Sequence, residues 1–160
     1  MDSLRKLEQE IWNKMVTMGI PRVRLPDDID QIINLSAEEL ASIDDMDVAN
    51  AIQYKLGQFM LYIEQNVRVI KAMLNRLEEC YNRELLESIN SDSSMPKNLS
   101  LTEKKARVHQ QSNRLQQLSA QIDELKILRD VLDGSTEGVE HLLDVIKQIY
   151  YRLRMQAYGS

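Results

Sequence analysis

Apolar residues recur at intervals of three and four along most of the chain, the spacing that places side chains on one face of an α-helix. The first such run consists of Leu4, Leu7, Ile11, Met15 and Met18. It predicts a short amphipathic helix over residues 3 to 18, which ends before Gly19 and Pro21.

The next stretch, up to about residue 45, has no sustained apolar period. Two prolines interrupt it, and Asp27, Asp28 and Asp30 make it acidic. Ser36 lies three residues before Glu39, which matches the capping box at a helix start. We therefore predict an irregular acidic arm that contains one or two short helical turns.

The longest helical pattern runs from about Asp47 to Ile89, and Gly57 interrupts it at a cost of only about 1 kcal/mol relative to Ala. Its apolar residues form three neighbouring heptad columns. The columns are Leu56, Ile63, Ile70 and Leu77; Ile52, Phe59, Asn66, Met73 and Cys80; and Met60, Val67, Leu74 and Tyr81. Three columns are wider than a two-column coiled-coil seam. We therefore expect this helix to pack against at least two neighbours.

A polar linker with one proline, residues 90 to 100, precedes a second predicted helix over residues 101 to 132. Ser100 and Glu103 form another capping box. One apolar column runs through Leu101, Val108, Leu115 and Ile122, but the next column begins with Lys104 and Gln111. The first half, LTEKKARVHQQSNRLQQ, is therefore expected to contact a partner helix along one line only. The rest of its surface should be solvated or bound to something polar.

Asp133 and Gly134 are typical of a helix end, and Ser135 is typical of a new N-cap. We therefore predict a separate last helix with a broad apolar stripe. The stripe comprises Val139, Leu142, Leu143, Ile146, Ile149, Tyr150, Leu153 and Ala157.

These patterns predict an all-α fold: an elongated hairpin of long helices with a C-terminal helix, preceded by the acidic arm. Along the chain we divide it into residues 1–45, the N-terminal helix and arm, and residues 46–160, the hairpin and assembly helix. The composition agrees, since aromatic residues are only 5% and charged residues 28%. Because a thin hairpin would leave its apolar stripes exposed to solvent, we expect a helical-bundle homo-oligomer. The residues expected at its contacts are Val139, Leu142, Leu143, Ile146, Ile149, Tyr150 and Leu153.

The net charge of -5 is unevenly distributed. Residues 1 to 50 hold 5 basic and 11 acidic side chains, whereas the rest of the chain holds 15 basic and 14 acidic ones. The acidity is thus a property of the N-terminal part, and it does not exclude a nucleic-acid partner for the remainder.

Five bases lie within 18 residues that contain one acid, Glu103; they are Lys97, Lys104, Lys105, Arg107 and Arg114. One interpretation is phosphate binding, since such side chains supply most non-specific affinity for nucleic acids. The other is that glutamates across the hairpin neutralise them as ordinary surface ion pairs. These acids are Glu78, Glu79, Glu84 and Glu87. The sequence leaves both interpretations open.

The C-terminal stretch IKQIYYRLRMQAY interleaves aromatic and basic residues, as in stacking sites for single strands. Tyr151, Arg152 and Arg154 are the candidates there, although an exposed tyrosine on a helix is also common.

Asn66, in the second heptad column of the long helix, has two interpretations: a buried amide that fixes register, or a solvated side chain beside an inward-pointing Val67.

Catalysis and cofactor binding have no sequence signature. His109 and His141 are isolated, and the chain has no CxxC, HExxH, Walker or GxSxG motif. We expect a protein that is not an enzyme and that uses no cofactor or metal. The single cysteine, Cys80, is expected to be a small core residue and favours a reducing compartment, the cytoplasm. No apolar run approaches the roughly 20 residues of a membrane span, so no membrane partner is expected.

The order of segments resembles the UvsY-type recombination mediators of tailed bacteriophages. The resemblance covers residues 47 to 159 and is one of organisation and spacing. It is carried by FMLYIEQNVRVIKAMLNRLEECYNREL, a polar break, EKKARVHQQSNRLQQL and finally LDGSTEGVEHLLDVIKQIYYRLRMQAYG.

The resemblance implies small helical subunits that form a ring-like oligomer through C-terminal helices. It also implies that they bind single-stranded DNA, displace the single-strand-binding protein and load a recombinase, in the host cytoplasm if a phage encodes the chain. The positions implied for the strand are Lys104, Lys105, Arg107 and Arg114, and those implied for assembly include Ile146, Ile149 and Leu153. The N-terminal part of that family is basic, whereas LPDDIDQIINLSAEELASIDDMD is acidic here.

The alternative function is a helical protein-interaction module, such as an adaptor, an assembly chaperone or an inhibitor, with no nucleic-acid role. Under it, the basic stretch is a solvated helix whose charges pair within the chain.

Overall fold

The computed structural model describes residues 2–158, with side chains from Leu4 onward. Met1, Gly159 and Ser160, which the predicted segments 1–45 and 46–160 and the family resemblance include at their ends, lie outside the described residues. The helices are α1 (Asp2–Thr17), α2 (Ile29–Ile33), α3 (Ala37–Ala41), α4 (Met46–Ser91), α5 (Leu101–Gln111) and α6 (Asn113–Tyr158). The described part of the chain contains no strand, and the prediction of an all-α fold is confirmed.

Packing divides the chain into two compact units. Unit 1 holds the residues up to Ile11 together with Val69–Asp130, and unit 2 holds Trp12–Arg68 together with the residues from Val131 onward. Helices α1, α4 and α6 contribute to both units. The predicted segments 1–45 and 46–160 follow the order of the chain and stay a prediction.

The core of unit 2 forms where α4, α6 and α2 pack together. Its buried residues are Ala49, Leu56, Ile63 and Val67 from α4, Val139, Ile146 and Ile149 from α6, and Ile29 and Ile32 from α2. The three apolar columns of α4 thus meet two neighbouring helices in this unit, as their width predicts.

Gln65 ties the extended arm to α4 in unit 2. Its side chain is only 8% exposed. Its Nε2 donates to the carbonyl oxygen of Pro21 at 2.8 Å, and its Oε1 accepts from the backbone N–H of Val23 at 2.7 Å. Both hydrogen-bonding ends of the buried amide are therefore satisfied by backbone atoms. We call this pair of contacts the Gln65 clamp.

The rest of the arm in unit 2 follows the sequence prediction. The predicted short helical turns are α2 and α3. The capping box at the start of α3 is present, since Ser36 Oγ accepts from the Glu39 N–H while Glu39 accepts from the Ser36 N–H. The guanidinium of Arg22 lies over the ring of Trp12 at 4.6 Å, a cation–π contact that holds the segment between α1 and α2.

In unit 1 the second half of α4 packs antiparallel to α5 and the start of α6. Leu85, Val108 and Leu115 form a buried cluster. Ion pairs join Arg114 to Glu84 at 2.6 Å and Lys126 to Glu78 at 3.2 Å, so residue numbers rise along one helix as they fall along the other. The predicted hairpin of long helices is confirmed, and in it residues 101–115 lie against residues 75–90.

The predicted helix end at Asp133 and Gly134 is wrong, because α6 continues through both residues. The hydroxyl of Ser135 donates to the Val131 carbonyl at 2.8 Å, as serine does inside a helix, so it is not an N-cap. A helical glycine costs only about 1 kcal/mol relative to Ala. Leu132 and Val139 both pack into the unit 2 core, one on each side of Gly134, and their burial offsets that cost.

The predicted single helix over residues 101–132 is also wrong, because it breaks at Ser112. This residue is extended, with φ -107° and ψ 107°. Its Oγ accepts from the Leu115 N–H at 3.3 Å and so caps α6. The Gln116 side chain donates to the carbonyls of His109 and Gln110. Ser112 and Gln116 together satisfy backbone groups that the break exposes.

Replacing Gly134 by Ala should stabilise the protein by about 0.5–1 kcal/mol, because Gly134 lies inside a helix and an added Cβ meets no atom within 4 Å. Urea unfolding followed by circular dichroism measures this. Gly19→Ala is the control. Gly19 has φ +79°, a conformation that costs other residues about 1–2 kcal/mol, so this variant should be destabilised. A destabilised Gly134→Ala variant would contradict the continuous α6.

Candidate functional site

The basic cluster is the main candidate site and belongs to unit 1. We use this name for Lys97 in the linker before α5, Lys104, Lys105 and Arg107 in α5, and Arg114 in the first turn of α6. Helix α5 is held against α4 by the buried cluster of Leu85, Val108 and Leu115, against which Tyr81, Ile89 and Met95 also pack. Lys104, Lys105 and Arg107 are thus presented by a helix that has a fixed buried face.

His109 adds a polar contact between α5 and α4. Its Nδ1 lies 3.1 Å from the hydroxyl of Tyr81, and the two ring centroids are 6.0 Å apart. The sequence showed His109 only as an isolated histidine, because its partner is 28 residues away on another helix. In the structure it helps to position the face of α5 that carries the bases.

The one acid among these bases, Glu103, is used as a cap. Its Oε2 accepts from the Ser100 hydroxyl at 2.7 Å and from the Ser100 N–H at 2.8 Å. These two hydrogen bonds lower the pKa of Glu103 from its ordinary 4.5, and the bond from the hydroxyl makes the larger contribution to this shift. The capping box predicted from Ser100 and Glu103 is confirmed.

Among the described residues, ion pairs within the chain engage one member of the basic cluster. Arg114 Nε donates to Glu84 Oε1 at 2.6 Å, and this hydrogen bond raises the pKa of Arg114. Within residues 2–158, Lys97, Lys104 and Lys105 form no ion pair. Three lysine charges of the cluster are therefore left to solvent or to a ligand.

Arg107 differs from the surface lysines because it is half-buried, and its Nε is a buried atom with no hydrogen-bond partner. The nearby Asp92 carboxylate accepts from the Ser94 hydroxyl at 2.6 Å and from the Ser94 N–H at 2.9 Å. These two bonds chiefly lower the pKa of Asp92, and the charge of Arg107 makes a smaller contribution.

The C-terminal candidates Tyr151, Arg152 and Arg154 belong to unit 2, so the structure does not group them with the basic cluster. All three are exposed. The Tyr151 ring makes an edge contact with Tyr150, with centroids 6.0 Å apart. In the part of the chain that the structure describes, neither arginine forms an ion pair.

Two further exposed residues line up with Tyr151 on α6. Tyr151, Met155 and Tyr158 are 60%, 74% and 81% exposed, and their spacing of four and three places them on one face. We call this the outer stripe. Tyr158 belongs to the C-terminal stretch of aromatic and basic residues that the sequence singles out, whereas the sequence pattern did not predict a role for Met155. The offset of Met155 from the buried residues Ile146 and Ile149 was the signal that could have found it.

The residues predicted to join copies of the chain pack inside unit 2. Val139, Ile146 and Ile149 are buried in its core, and the rest of the set packs against them; these are Leu142, Leu143, Tyr150 and Leu153. Much of this predicted assembly surface, which is distinct from the outer stripe, is thus covered by the chain's own α4. The association of copies stays a prediction.

Two other residues singled out in the sequence have clear positions. Asn66 donates from Nδ2 to the Tyr62 carbonyl at 2.7 Å in its own helix, while Val67 is buried. Val67 therefore points inward, as the second interpretation has it, while Asn66 is half-buried rather than fully solvated. Cys80 is half-buried rather than in the core.

Among residues 2–158, no cluster of three or more His, Cys, Asp or Glu side chains has the arrangement to hold a metal ion. None of the described helices combines the length and apolar character needed to cross a membrane. Comparison of the chain with protein-family models, with characterised proteins and with solved structures found no match.

Replacing Ser100 by Ala should raise the pKa of Glu103 towards 4.5, because the variant loses the strongest of the hydrogen bonds to its carboxylate. The folded pKa is below the unfolded one, so the stabilisation by this cap is present above about pH 4.5 and is lost as pH falls through the folded pKa. A carbon-detected NMR titration of the side-chain carboxyl measures the shift. Ser36→Ala is the matched control and should move Glu39 instead; an unmoved Glu103 in Ser100→Ala would contradict the cap.

Proposed function

We propose that this chain is a non-enzymatic accessory protein of recombination or repair that binds single-stranded DNA through the basic cluster. The observation that supports this most is that Lys97, Lys104 and Lys105 have no carboxylate partner in the described chain. Lys104 and Lys105 lie on α5, and Lys97 lies in the linker before it. The one acid in the sequence of α5, Glu103, is engaged in the capping box of that helix. The positive charge there is thus not cancelled by folding.

The recombination role comes from the resemblance to UvsY-type mediators. On that basis the further partners are a recombinase, a single-strand-binding protein and other copies of this chain. Tyr151, Arg152 and Arg154 are a second candidate contact for the strand, since they are exposed on α6. The basic cluster is the stronger of the two, because it combines more charges with a buried anchor at Val108.

The expected affinity is modest and strongly salt-dependent. Each phosphate that a lysine or arginine neutralises on a single strand contributes about -0.7 to the slope of log affinity against log salt. Three or four such contacts therefore predict a slope of about -2 to -3.

Changing Lys97, Lys104 and Lys105 together to Glu should abolish binding of a labelled single strand, because it replaces the unpaired positive charges by repulsive ones. Fluorescence anisotropy at two salt concentrations measures both affinity and slope. Binding should be weaker to a duplex of the same length if the strand is the natural ligand.

The control for this experiment carries the same total charge change at dispersed positions of unit 1: Lys6→Glu, Lys71→Glu and Arg83→Glu. These three bases are exposed. Equal loss of binding in both triple variants would mean that only net charge matters. An unmodified protein that does not bind at low salt would refute the proposal.

A separate observation favours the alternative function, a protein-interaction module without nucleic-acid role. The outer stripe exposes three large side chains with the spacing of helix-docking anchors. Such a stripe is suited to contact between helices, including those of other copies of the chain.

Changing Tyr151 and Met155 together to Glu should leave the free energy of unfolding within about 0.5 kcal/mol of the original, because both side chains are exposed. If the stripe joins copies of the chain, sedimentation equilibrium should show a lower mean mass for this variant. The double change Gln148→Glu and Gln156→Glu is the control with equal charge. A mass change with no strand binding by the unmodified protein would favour the interaction module.

A further inference from the structure

Arg107 lacks the acceptor that its position requires. Its Nε is buried and has no hydrogen-bond partner, whereas native proteins pair nearly all buried donors with protein atoms or with ordered water. A guanidinium has five N–H donors and no acceptor, so only an acceptor group can satisfy it. An oxygen-bearing group can pair with this donor, and the positive charge of the guanidinium favours an anion over a neutral acceptor.

The surroundings of Arg107 narrow the choice. Lys104 lies three residues earlier on α5, hence on the same side of the helix, and it is half-buried without an ion pair. The carboxylate of Asp92 accepts two hydrogen bonds from Ser94, which chiefly lower its pKa, and it forms no ion pair with Arg107. Two cations thus share a side of α5, and the nearby acid is already engaged.

Packing contacts fix which way this side of α5 faces. Val108, the neighbour of Arg107, is 5% exposed and lies in the buried cluster with Leu85 and Leu115. The contact between Tyr81 and His109 holds the next residue. The base of the Arg107 side chain is therefore positioned before any ligand binds, as a binding site for a small group requires.

We propose that Arg107 and Lys104 form a site for one phosphate group, in which the end of the Arg107 side chain turns outward so that its guanidinium donates from Nε and a second nitrogen to two phosphate oxygens. The inference rests on the proposed function, since the phosphate is that of the single strand. Lys97 and Lys105, which are more exposed, attract the strand at longer range. Arg107 fixes one phosphate by geometry, which a point charge cannot do.

The charge-preserving change Arg107→Lys separates geometry from charge. It should weaken binding of an unphosphorylated oligothymidylate at least fivefold, with the salt slope little changed, because the number of cations is the same. Arg83→Lys, at an exposed arginine of the same unit, should bind like the original. Asp92→Asn should tighten binding, since it removes the negative charge near the site. Circular dichroism and thermal melting show whether each variant is folded.

A direct readout comes from the Arg107 Nε–H resonance in nitrogen–proton NMR spectra, assigned by its absence in Arg107→Lys. It should shift on titration with the oligothymidylate, with the same oligonucleotide carrying a 5′-phosphate, and with inorganic phosphate. A larger response to the 5′-phosphate identifies a terminal phosphate as the preferred source, and equal responses identify the backbone; both support the site.

The two proposals fail in different ways. If the oligonucleotide binds and the lysine triple variant abolishes binding, but Arg107→Lys binds like the original, the phosphate site is wrong and the strand-binding function stands. If no oligonucleotide binds but inorganic phosphate shifts the Arg107 resonance, the function is wrong and the anion site stands. An Arg107 resonance that none of the three probes shifts overturns the site.

Discussion

The apolar columns of α4 and α6 must cover each other, and the rest of the structure depends on that contact. With aromatic residues at only 5% of the chain, aliphatic side chains such as Leu56, Ile63 and Ile146 supply most of the buried surface. Each contributes roughly 1.5–3 kcal/mol when fully buried. Val108 extends the same principle to α5, and Leu115 extends it to the start of α6. The position of the basic cluster follows from where these two side chains are buried.

Heptad spacing in the sequence was sufficient to predict α4 and its pairing with the helices that follow it, because burial of a continuous apolar column outweighs local preferences. The same dominance explains the error at Gly134. Gly134 and Asp133 locally favour a helix end, but Leu132 and Val139 both pack into one core, which a helix break would disrupt. At Ser112 local chemistry prevailed instead, since its hydroxyl and the Gln116 amide satisfy the backbone that the break exposes.

The candidate site was predictable in its composition and less so in its contacts. A run of bases with one acid can be read from the sequence, and the capping role of Glu103 follows from its spacing to Ser100. Which base is neutralised depends on which acidic side chain across the hairpin is close enough to pair with it. Only the structure shows that Glu84 forms an ion pair with Arg114. The buried Nε of Arg107 is likewise a product of tertiary packing, because its position on the helix gives no sign of it.

The Gln65 clamp has a consequence for how this protein can change during evolution. The clamp contacts a backbone carbonyl and a backbone N–H, which nearly every residue type provides, so it places little constraint on which amino acids occupy positions 21 to 23. Proline at position 23 is the exception, since it has no N–H. The number of residues between α1 and α2 is constrained more tightly than their identity. An insertion or deletion there would present different backbone groups to the Gln65 amide. Because that amide is buried, it cannot form hydrogen bonds to solvent instead.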